Sequence, residues 1–309
     1  MKKFSLTLLG TSAAVPYKNR YLAGQVLNVH DQLFLIDCGE GTQFRMNEFN
    51  IKRHKINRIF ISHLHGDHFF GLFGVLTSLA MNDRTEPMYI YSPAGLKDII
   101  HTVFEKSYYV SPFPIIFKEL DTTQDALIFE NDILTVRCFP LSHRIPTIGF
   151  IFKEKPLPLN INPEKIAEYN LSIEDIKSIK NGNTFTTLSG KIIPNCELVM
   201  PPYKTRTFAY CSDTRYDEKI IPFIRKTDLL YHESTFMSDL TEHANLTGHS
   251  TTIQAAMIAK KASVQKLILG HFSSRYTDLN LLLAEAKTVF PDTVLGIDGE
   301  IHTVELERE

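Results

Sequence analysis

The 309-residue sequence predicts an α/β fold in which helices flank two mixed β-sheets, an αβ/βα sandwich. Short apolar stretches typical of strands alternate with amphipathic helical stretches in both halves of the chain. Hydrophobic residues make up 43% of the chain and charged residues 22%, as in ordinary globular proteins. A chain of this length buries a large core without cross-links, so we expect any bound metal to be functional rather than structural.

The first sixteen residues, MKKFSLTLLGTSAAVP, resemble a signal peptide because two lysines precede apolar and small residues. Gly10 interrupts the apolar run early, however, and Phe4, Leu6 and Leu8 alternate as in a β-strand. We therefore favour a first strand over a signal peptide. The longest apolar run, 69–81, is too short to span a bilayer, so no membrane partner is expected.

The remaining elements follow from the hydrophobic pattern. Period-two alternation and apolar runs predict strands near 26–29, 33–36, 58–61, 88–91, 115–119, 127–130, 133–139, 207–212, 228–231, 266–270, 293–297 and 301–306. Helical periodicity predicts helices near 42–50, 69–81, 95–107, 218–225, 252–262 and 279–289. The polar residues 30–32 between the second and third strands predict a hairpin.

Residues 153–193 differ from the rest of the chain because prolines interrupt the pattern. Asn162-Pro163 and Ser172-x-x-Asp175 predict two short helix starts, and 188–191 predicts a hairpin turn. We therefore predict a single domain over 1–309 that carries 153–193 as an arm-like insertion.

Charge and cysteine content limit the binding partners and the cellular compartment that we expect. A net charge of -2 argues against broad, sequence-independent binding of nucleic acid, although it leaves room for a local basic patch. The four cysteines, Cys38, Cys138, Cys196 and Cys211, form no CxxC pair. We interpret them as reduced thiols in the core of a cytoplasmic protein.

Residues 62–68, SHLHGDH, place three histidines and an aspartate between a predicted strand and a predicted helix. In an extended chain, His63, His65 and Asp67 would share one side, and His68 would point elsewhere. Two adjacent metals could divide these residues, with His63 and His65 on one and Asp67 and His68 on the other. Imidazole with carboxylate and no thiolate favours zinc, with manganese as the weaker alternative. The alternative interpretation is a polar loop with incidental histidines.

Three more polar residues follow later predicted strands, where α/β folds commonly build sites. They are His143, Asp213 and His271. Each alone is more often part of a capped turn or a structural histidine than a ligand. Together with the first motif they supply the further ligands that two metals require.

The ordered set HxHxDH, a lone His, an Asp and a last His resembles the metallo-β-lactamase superfamily. The resemblance implies two sets of metal ligands that share one bridging aspartate. The first set is His63, His65 and His143, the second is Asp67, His68 and His271, and the bridge is Asp213.

Six sequence blocks narrow the resemblance to the ribonuclease Z family of tRNA 3′-processing endonucleases. They are LGTSAAVPYKNR (9–20), FLIDCGEGTQFR (34–45), YCSDTR (210–215), HESTF (232–236), GHST (248–251) and HFSSRY (271–276). The resemblance implies an endoribonuclease with two Zn²⁺ per subunit, acting on precursor tRNA as a cytoplasmic homodimer. A more distant resemblance is to phosphodiesterases that act on cyclic nucleotides and other small diesters.

The same resemblance suggests catalytic roles for three residues. Asp67 would orient or deprotonate the attacking water as well as bind metal. His249 is the candidate acid for the leaving 3′-oxygen, and Glu233 would orient His249 and raise its pKa. A capping box formed by Thr251 and Gln254 explains Thr251 without catalysis, but it leaves His249 unexplained.

Candidate substrate contacts are fewer. Arg275 is a candidate phosphate contact, with a surface salt bridge as the alternative. In many bacterial ribonucleases Z the arm tip is rich in glycine and proline, whereas the corresponding 170–175 here has no Gly-Pro motif and carries two acids. Lys177 and Lys180 follow and remain candidate phosphate contacts.

Two other functions stay open at this stage, and a third is less expected. One is a phosphodiesterase acting on small or cyclic diesters or on another RNA, which would use the same metals. Another is a non-catalytic RNA-binding protein, which the complete ligand set argues against. The third is a β-lactamase, which the arm-like segment disfavours because a small lactam gives it no use.

Overall fold

The computed structural model describes residues 2–309 and divides into two compact units. The first unit comprises the chain up to Lys153 together with Thr207–Val304. The second unit comprises Glu154–Arg206 and Glu305–Glu309. No helix in residues 2–309 is both long enough and apolar enough to cross a membrane.

Sixteen strands occur in residues 2–309. They are β1 (Phe4–Gly10), β2 (Gly24–Val29), β3 (Gln32–Cys38), β4 (Ile56–Phe60), β5 (Met88–Pro93), β6 (Ile115–Leu120), β7 (Ala126–Glu130), β8 (Leu134–Leu141), β9 (Thr147–Glu154), β10 (Phe185–Thr186), β11 (Ile192–Ile193), β12 (Thr207–Cys211), β13 (Leu229–Glu233), β14 (Lys266–Gly270), β15 (Thr293–Leu295) and β16 (Ile301–Thr303).

The same residues contain eleven α-helices. They are α1 (Thr42–Glu48), α2 (Gly66–Phe69), α3 (Leu72–Ala80), α4 (Leu96–Lys106), α5 (Pro163–Glu168), α6 (Ile173–Lys180), α7 (Asn195–Leu198), α8 (Ile221–Ile224), α9 (Thr241–Thr247), α10 (Thr252–Ala262) and α11 (Asn280–Lys287).

The first unit is built on two seven-stranded mixed sheets. One sheet has the order β16-β1-β2-β3-β4-β5-β6, and the other has the order β15-β14-β13-β12-β9-β8-β7. Phenylalanines from both sheets fill the space between them, and the ring centroids of Phe60 and Phe152 lie 5.2 Å apart. Apolar residues of α3 and α4 pack on the first sheet, and those of α10 and α11 pack on the second. The predicted αβ/βα sandwich is therefore confirmed.

Parallel pairing brings strand ends to one edge of each sheet. Strands β3 to β6 pair in parallel, as do β12 to β15. The carboxyl ends of neighbouring parallel strands therefore lie side by side. This arrangement positions the polar residues that follow β3, β4, β12, β13 and β14.

One predicted turn and one predicted helix cap are confirmed in the first unit. His30 and Asp31 both have positive φ, 50° and 65°, as a two-residue hairpin turn between β2 and β3 requires. Thr251 accepts a hydrogen bond from the backbone of Gln254, whose side chain accepts one from Thr251 N, so the capping box begins α10.

The predicted helix over 69–81 is wrong in its extent. It is two helices, α2 and α3, which are separated at Gly71. The Gly71 N–H donates to Cys38 O at 2.8 Å, and a Cβ at this position would lie 2.0 Å from Gly39 O. Close packing against the end of β3 therefore explains the break, which hydrophobic periodicity does not reveal.

The sequence prediction missed two elements of the first unit. Strand β9 is not evident from the sequence because its apolar run, TIGFIF, leads directly into the proline-interrupted segment. Helix α9, TEHANLT, has little apolar periodicity, and only Ala244 is buried. Tertiary contacts rather than local pattern therefore define both elements.

The second unit has a small core of its own. Its buried apolar residues are Ile161, Leu171, Ile179, Ile193 and Leu198. Asn162 caps α5, and Ser172 forms a capping box with Asp175 at the start of α6, so both predicted helix starts are confirmed. The 188–191 turn is confirmed between β10 and β11. Glu154 and Arg206 form a buried bidentate ion pair.

The prediction that all four cysteines are core thiols is wrong for Cys196. Cys38, Cys138 and Cys211 are buried in the first unit, whereas Cys196 is exposed on α7. Helix α7 is four residues long and buries only Leu198, so a cysteine on this helix is not part of the core.

Candidate metal centre

The HxHxDH residues occupy the connection between β4 and α2. Strand β4 ends at Phe60, the chain stays extended to His65, and α2 begins at Gly66. The prediction that Asp67 continues the extended run is therefore wrong, because Asp67 lies in the first turn of a helix. The turn separates Asp67 and His68 from the preceding pair, His63 and His65.

The other three predicted ligands lie at the ends of later strands. His143 follows β8, Asp213 follows β12, and His271 follows β14 directly. His271 has a φ of +57°, a left-handed conformation that is uncommon for a residue with a Cβ. Such backbone strain concentrates where a side chain must be held in one direction.

The structure brings all seven predicted ligands together in overlapping groups. Ligand atoms of each group lie within 4.8 Å of one another. The groups are His63, His65, His143 and Asp213; Asp67, His68 and His271; and Asp213, His249 and His271.

Three imidazole nitrogens converge in the first group. His65 Nδ1 lies 3.1 Å from His63 Nε2 and 3.2 Å from His143 Nε2. A single proton cannot satisfy three nitrogens. Two nitrogens bound to one tetrahedral zinc at 2.0–2.1 Å would be separated by about 3.3 Å, so the spacing fits a shared cation.

The two oxygens of Asp213 face different groups. Oδ1 lies 3.2 Å from His271 Nε2 and 3.4 Å from His68 Nε2. Oδ2 lies 3.5 Å from His63 Nε2 and 3.8 Å from His143 Nε2. The carboxylate therefore lies between the two groups.

Asp67 completes the second group. Its Oδ2 lies 3.5 Å from His271 Nε2 and 3.6 Å from His68 Nε2, and it accepts a hydrogen bond from Ala14 N at 2.9 Å. Among residues 2–309, three buried atoms of this region have no hydrogen-bond partner: His68 Nε2, Asp213 Oδ1 and His271 Nε2. Leaving buried polar atoms unsatisfied is costly, and a cation would satisfy all three. The donor set therefore fits a divalent metal.

Three histidines form a hydrogen bond through Nδ1, the ring nitrogen that faces away from the other ligands, and these bonds fix the orientation of each ring. His143 Nδ1 donates to Gly248 O at 2.7 Å, and His63 Nδ1 lies 3.0 Å from Ser62 Oγ. His271 Nδ1 lies 3.0 Å from Thr235 Oγ1. Gly248 O can only accept, so His143 carries its proton on Nδ1 and has a lone pair on Nε2, which faces the other ligands. The hydroxyls of Ser62 and Thr235 donate to Asp37 and Glu233, so each can accept from the Nδ1–H of its histidine.

Asp37, at the end of β3, organises the base of the centre. Its carboxylate accepts hydrogen bonds from Ser62 N (2.7 Å), Ser62 Oγ (2.8 Å), His68 Nδ1 (2.7 Å) and Tyr210 Oη (2.6 Å). Tyr210 belongs to β12 in the opposite sheet. Asp37 therefore orients His68 and ties the two sheets together at the level of the site.

Glu233 organises the opposite side. It is fully buried, and its Oε1 accepts from Thr214 N, Ser250 N and His249 Nδ1, the last at 3.0 Å. Its Oε2 accepts from the hydroxyl of Thr235 at 2.8 Å. Because Thr235 also contacts His271 Nδ1, one carboxylate orients both His249 and His271.

Sequence reasoning missed Ser62, Thr235 and Tyr210 as supporting residues. Ser62 and Thr235 lie within the quoted motifs SHLHGDH and HESTF, so their positions were available as a signal. Tyr210 contacts Asp37 across 173 positions of sequence, and only the packing of the sheets reveals that contact.

Electrostatics favour a cation at the centre. Burial lowers the pKa of His63 well below its usual value, and burial lowers that of His143 to about 4, so both are neutral at pH 7. Burial alone would raise the pKa of Asp213, but His271 and His68 hold it well below its usual value. Neutral imidazoles and an ionised carboxylate are the forms that bind a metal.

Two histidines beside carboxylates behave differently. Burial opposes protonation of His68, but Asp213, Asp67 and Asp37 together raise its pKa to about 10. Burial likewise opposes protonation of His249, yet Glu233 and Asp213 raise its pKa to about 9. A proton on His68 supplies positive charge that a cation could replace.

A cavity of about 660 Å³ opens onto the centre within the first unit. His65, Asp67, Asp213, His249 and His271 line it. Its other lining includes Arg144 and Arg275, which are both exposed. The guanidinium of Arg275 lies 5.7 Å from the Phe236 ring centroid. Lys177 and Lys180 belong to the second unit and are exposed on α6.

Comparison with known proteins gives the family. The chain is 41% identical over 296 residues to ribonuclease Z of Bacteroides fragilis, a match that covers 96% of this chain and 97% of that protein. The chain belongs to the ribonuclease Z family. The ribonuclease Z match extends over both sheets and over the segment of the second unit, so it is not confined to the metal-binding motif.

Solved structures agree with this family. The structure of human tRNase Z, short form, aligns with a TM-score of 0.73 and 27% identity over 97% of this chain and 99% of that one. The metallo-β-lactamase fold protein YhfI of Bacillus subtilis aligns with a TM-score of 0.69 at 18% identity over 98% of this chain and 100% of that one. The YhfI likeness shows the fold alone, and this ribonuclease Z therefore has the metallo-β-lactamase fold.

A family model described as anti-Pycsar protein Apyc1 matches residues 4–108. That segment contains β1 to β5 and the HxHxDH motif. The match is confined to this N-terminal part of the chain, so the family assignment rests on the ribonuclease Z relatives. Ribonucleases Z use divalent metal, and the His/Asp cluster of this chain is compatible with that use.

Replacing Asp37 tests the base of the centre. Asp37→Asn would replace one carboxylate oxygen by an NH₂ group, which cannot accept a hydrogen bond. At least one donor among Ser62, His68 and Tyr210 would therefore lose its acceptor. We expect the free energy of unfolding to fall by about 1–3 kcal/mol and the affinity for Zn²⁺ to fall roughly 10- to 100-fold. Chemical denaturation and equilibrium dialysis with metal analysis measure the two effects.

The exposed Asp31→Asn variant is the matched control, and its stability should stay within about 0.5 kcal/mol of the wild type. Wild-type zinc affinity in Asp37→Asn would contradict the role assigned to Asp37.

Proposed function

We propose that this ribonuclease Z is a zinc-dependent endoribonuclease that removes the 3′ trailer of precursor tRNA, leaving a 3′-hydroxyl on the tRNA and a 5′-phosphate on the trailer. The observation that carries the proposal is the combination of two ligand groups sharing Asp213 with a Glu233–His249 pair at the same cavity. The relatives named ribonuclease Z and tRNase Z support this substrate class.

The ligand groups suggest two Zn²⁺ ions per subunit, with Mn²⁺ as the alternative. One ion would be held by His63, His65 and His143, the other by Asp67, His68 and His271, and Asp213 would serve both. When bound, paired divalent ions act as Lewis acids towards a phosphodiester and ease the deprotonation of water.

The protein's own groups then divide the proton transfers. The Asp67 carboxylate lines the cavity and would orient the attacking water and accept its proton. The leaving 3′-oxygen needs a proton because an alkoxide is a poor leaving group. His249 would supply it, and Glu233 keeps His249 protonated and directed into the cavity.

Substrate binding would involve cationic side chains around the cavity and on the second unit. Arg275 lines the cavity and is proposed to contact a substrate phosphate. Lys177 and Lys180 are proposed to contact phosphates of the tRNA, with the segment 153–193 acting as an arm on a single-domain body. Cytoplasmic location and a homodimer are also proposed, and both rest on the family resemblance.

The alternative functions have less support. A phosphodiesterase for small or cyclic diesters would use the same ligands, but the full-length relatives carry the name ribonuclease Z. A metal-holding RNA-binding protein would have no use for a buried glutamate that holds a histidine at the cavity. We therefore favour the endonuclease.

Precursor tRNA tests the proposed reaction. The zinc-loaded protein should cut a 3′-extended precursor once, next to the discriminator nucleotide, and mapping of the ends should give a 3′-hydroxyl and a 5′-phosphate. Asp67→Ala should abolish the cut because it removes both a ligand and the proposed base. The exposed Asp98→Ala variant is the control and should cleave normally. Hydrolysis of a small diester without any cut in the precursor would support the alternative substrate class.

The acid role of His249 predicts a dependence on the leaving group. His249→Ala should slow precursor cleavage roughly 10²- to 10⁴-fold. Hydrolysis of bis(p-nitrophenyl) phosphate should change far less, because p-nitrophenolate leaves without a proton. Steady-state rates on both substrates measure the difference, with exposed His54→Ala as the control. Equal losses on the two substrates would contradict the acid role and indicate a general defect of the centre.

A further inference from the structure

Phe70 is an exposed aromatic residue beside the metal ligands. Its side chain is 57% exposed, whereas the neighbouring Phe69 is only 3% exposed. Phe70 lines the same cavity as Asp67 and His249. Its exposure at the reaction cavity leaves the aromatic ring available to a ligand, and burying the ring against that ligand would be favourable.

The ring of Phe70 is held in position. It packs over Gly66, where an added Cβ would lie 2.3 Å from a ring carbon. The Phe69 ring meets it edge-on, with centroids 4.8 Å apart, and the Phe70 N–H donates to Gly66 O at 2.9 Å. The aromatic face is therefore fixed before substrate arrives, which lowers the entropic cost of binding.

The surrounding lining suits a nucleotide. Val15 is 50% exposed in the same lining, and its neighbour Ala14 is tied to Asp67 by a hydrogen bond of 2.9 Å. Arg144 and Arg275 add positive charge to the cavity. An exposed aromatic face together with arginines is the combination by which proteins hold single-stranded nucleic acid, through base stacking and phosphate contact.

We propose that Phe70 stacks on the base of the first trailer nucleotide, immediately 3′ of the cut, and so positions the scissile phosphate. This inference rests on the proposed function. The leaving 3′-oxygen belongs to the tRNA nucleotide and must lie near His249, its proposed acid. Phe70 instead follows α2, the helix that carries Asp67. The tRNA nucleotide lies towards His249, so the nucleotide that lies towards Asp67 and Phe70 is the trailer nucleotide.

Removal of single bases from the substrate tests this contact. Three precursor RNAs would be compared: one intact, one with an abasic first trailer nucleotide, and one with an abasic discriminator nucleotide. On the intact RNA, Phe70→Leu should lower kcat/KM on the order of tenfold, the size of one lost base–aromatic contact. On the RNA with the abasic trailer nucleotide, Phe70→Leu and the wild type should be equal. On the RNA with the abasic discriminator, the loss should persist.

Two variants serve as controls. Phe70→Trp should retain activity because it preserves the aromatic face. Phe44→Leu changes another exposed phenylalanine, 63% exposed on α1, and should behave as the wild type on all three RNAs. An equal loss for Phe70→Leu on every RNA, a loss coupled to the discriminator base, or a change only in the oligomeric state would overturn the proposal.

A binding measurement separates this proposal from the proposed reaction. An RNA carrying 2-aminopurine at the first trailer position would be titrated with Asp67→Ala protein, which is expected not to cut. Stacking on Phe70 should quench the fluorescence, and the added substitution Phe70→Leu should remove that quenching. Quenching without cleavage by the wild type would retain the contact and reject the endonuclease. Cleavage by the wild type with quenching that does not depend on Phe70 would reject the contact alone.

Discussion

The centre depends on two buried carboxylates that are not themselves proposed ligands. Asp37 accepts four hydrogen bonds, including those from His68 and from Tyr210 of the opposite sheet. Glu233 accepts from His249 and, through Thr235, acts on His271. Both carboxylates are desolvated, which is tolerable only because donors surround them. Each supports one side of the centre, so the ligands converge on an arrangement that no local sequence pattern imposes.

The fold makes this convergence possible by placing strand ends side by side. Parallel pairing aligns the ends of β12, β13 and β14. Asp213 follows β12, Glu233 is the last residue of β13, and His271 follows β14. The left-handed backbone at Asp37 and at His271 then turns each residue at the end of its strand. Core packing and site geometry are therefore linked through a few hydrogen bonds between the sheets.

The sequence predicted much of this because the chemistry is concentrated in short motifs. Residues 62–68 signalled a metal site through their density of ligands, and the lone residues His143, Asp213 and His271 gained meaning from their positions after strands. Periodicity also predicted most strands, since the two sheets have long apolar inner faces. Prediction from sequence failed where tertiary contacts determine the structure. These features are the break at Gly71, strand β9, the exposure of Cys196 and the hydrogen bond from Tyr210 across the sheets.

The orientation of Asp213, with one oxygen towards each ligand group, is the geometric basis for the claim that two ions share one carboxylate. Electron paramagnetic resonance of metal-free protein titrated with Mn²⁺ tests that claim most directly. Two ions per chain that show exchange coupling, and the loss of the coupled signal in Asp213→Ala, are the expected result. One ion per chain, or two ions without coupling in the wild type, would contradict a shared bridge.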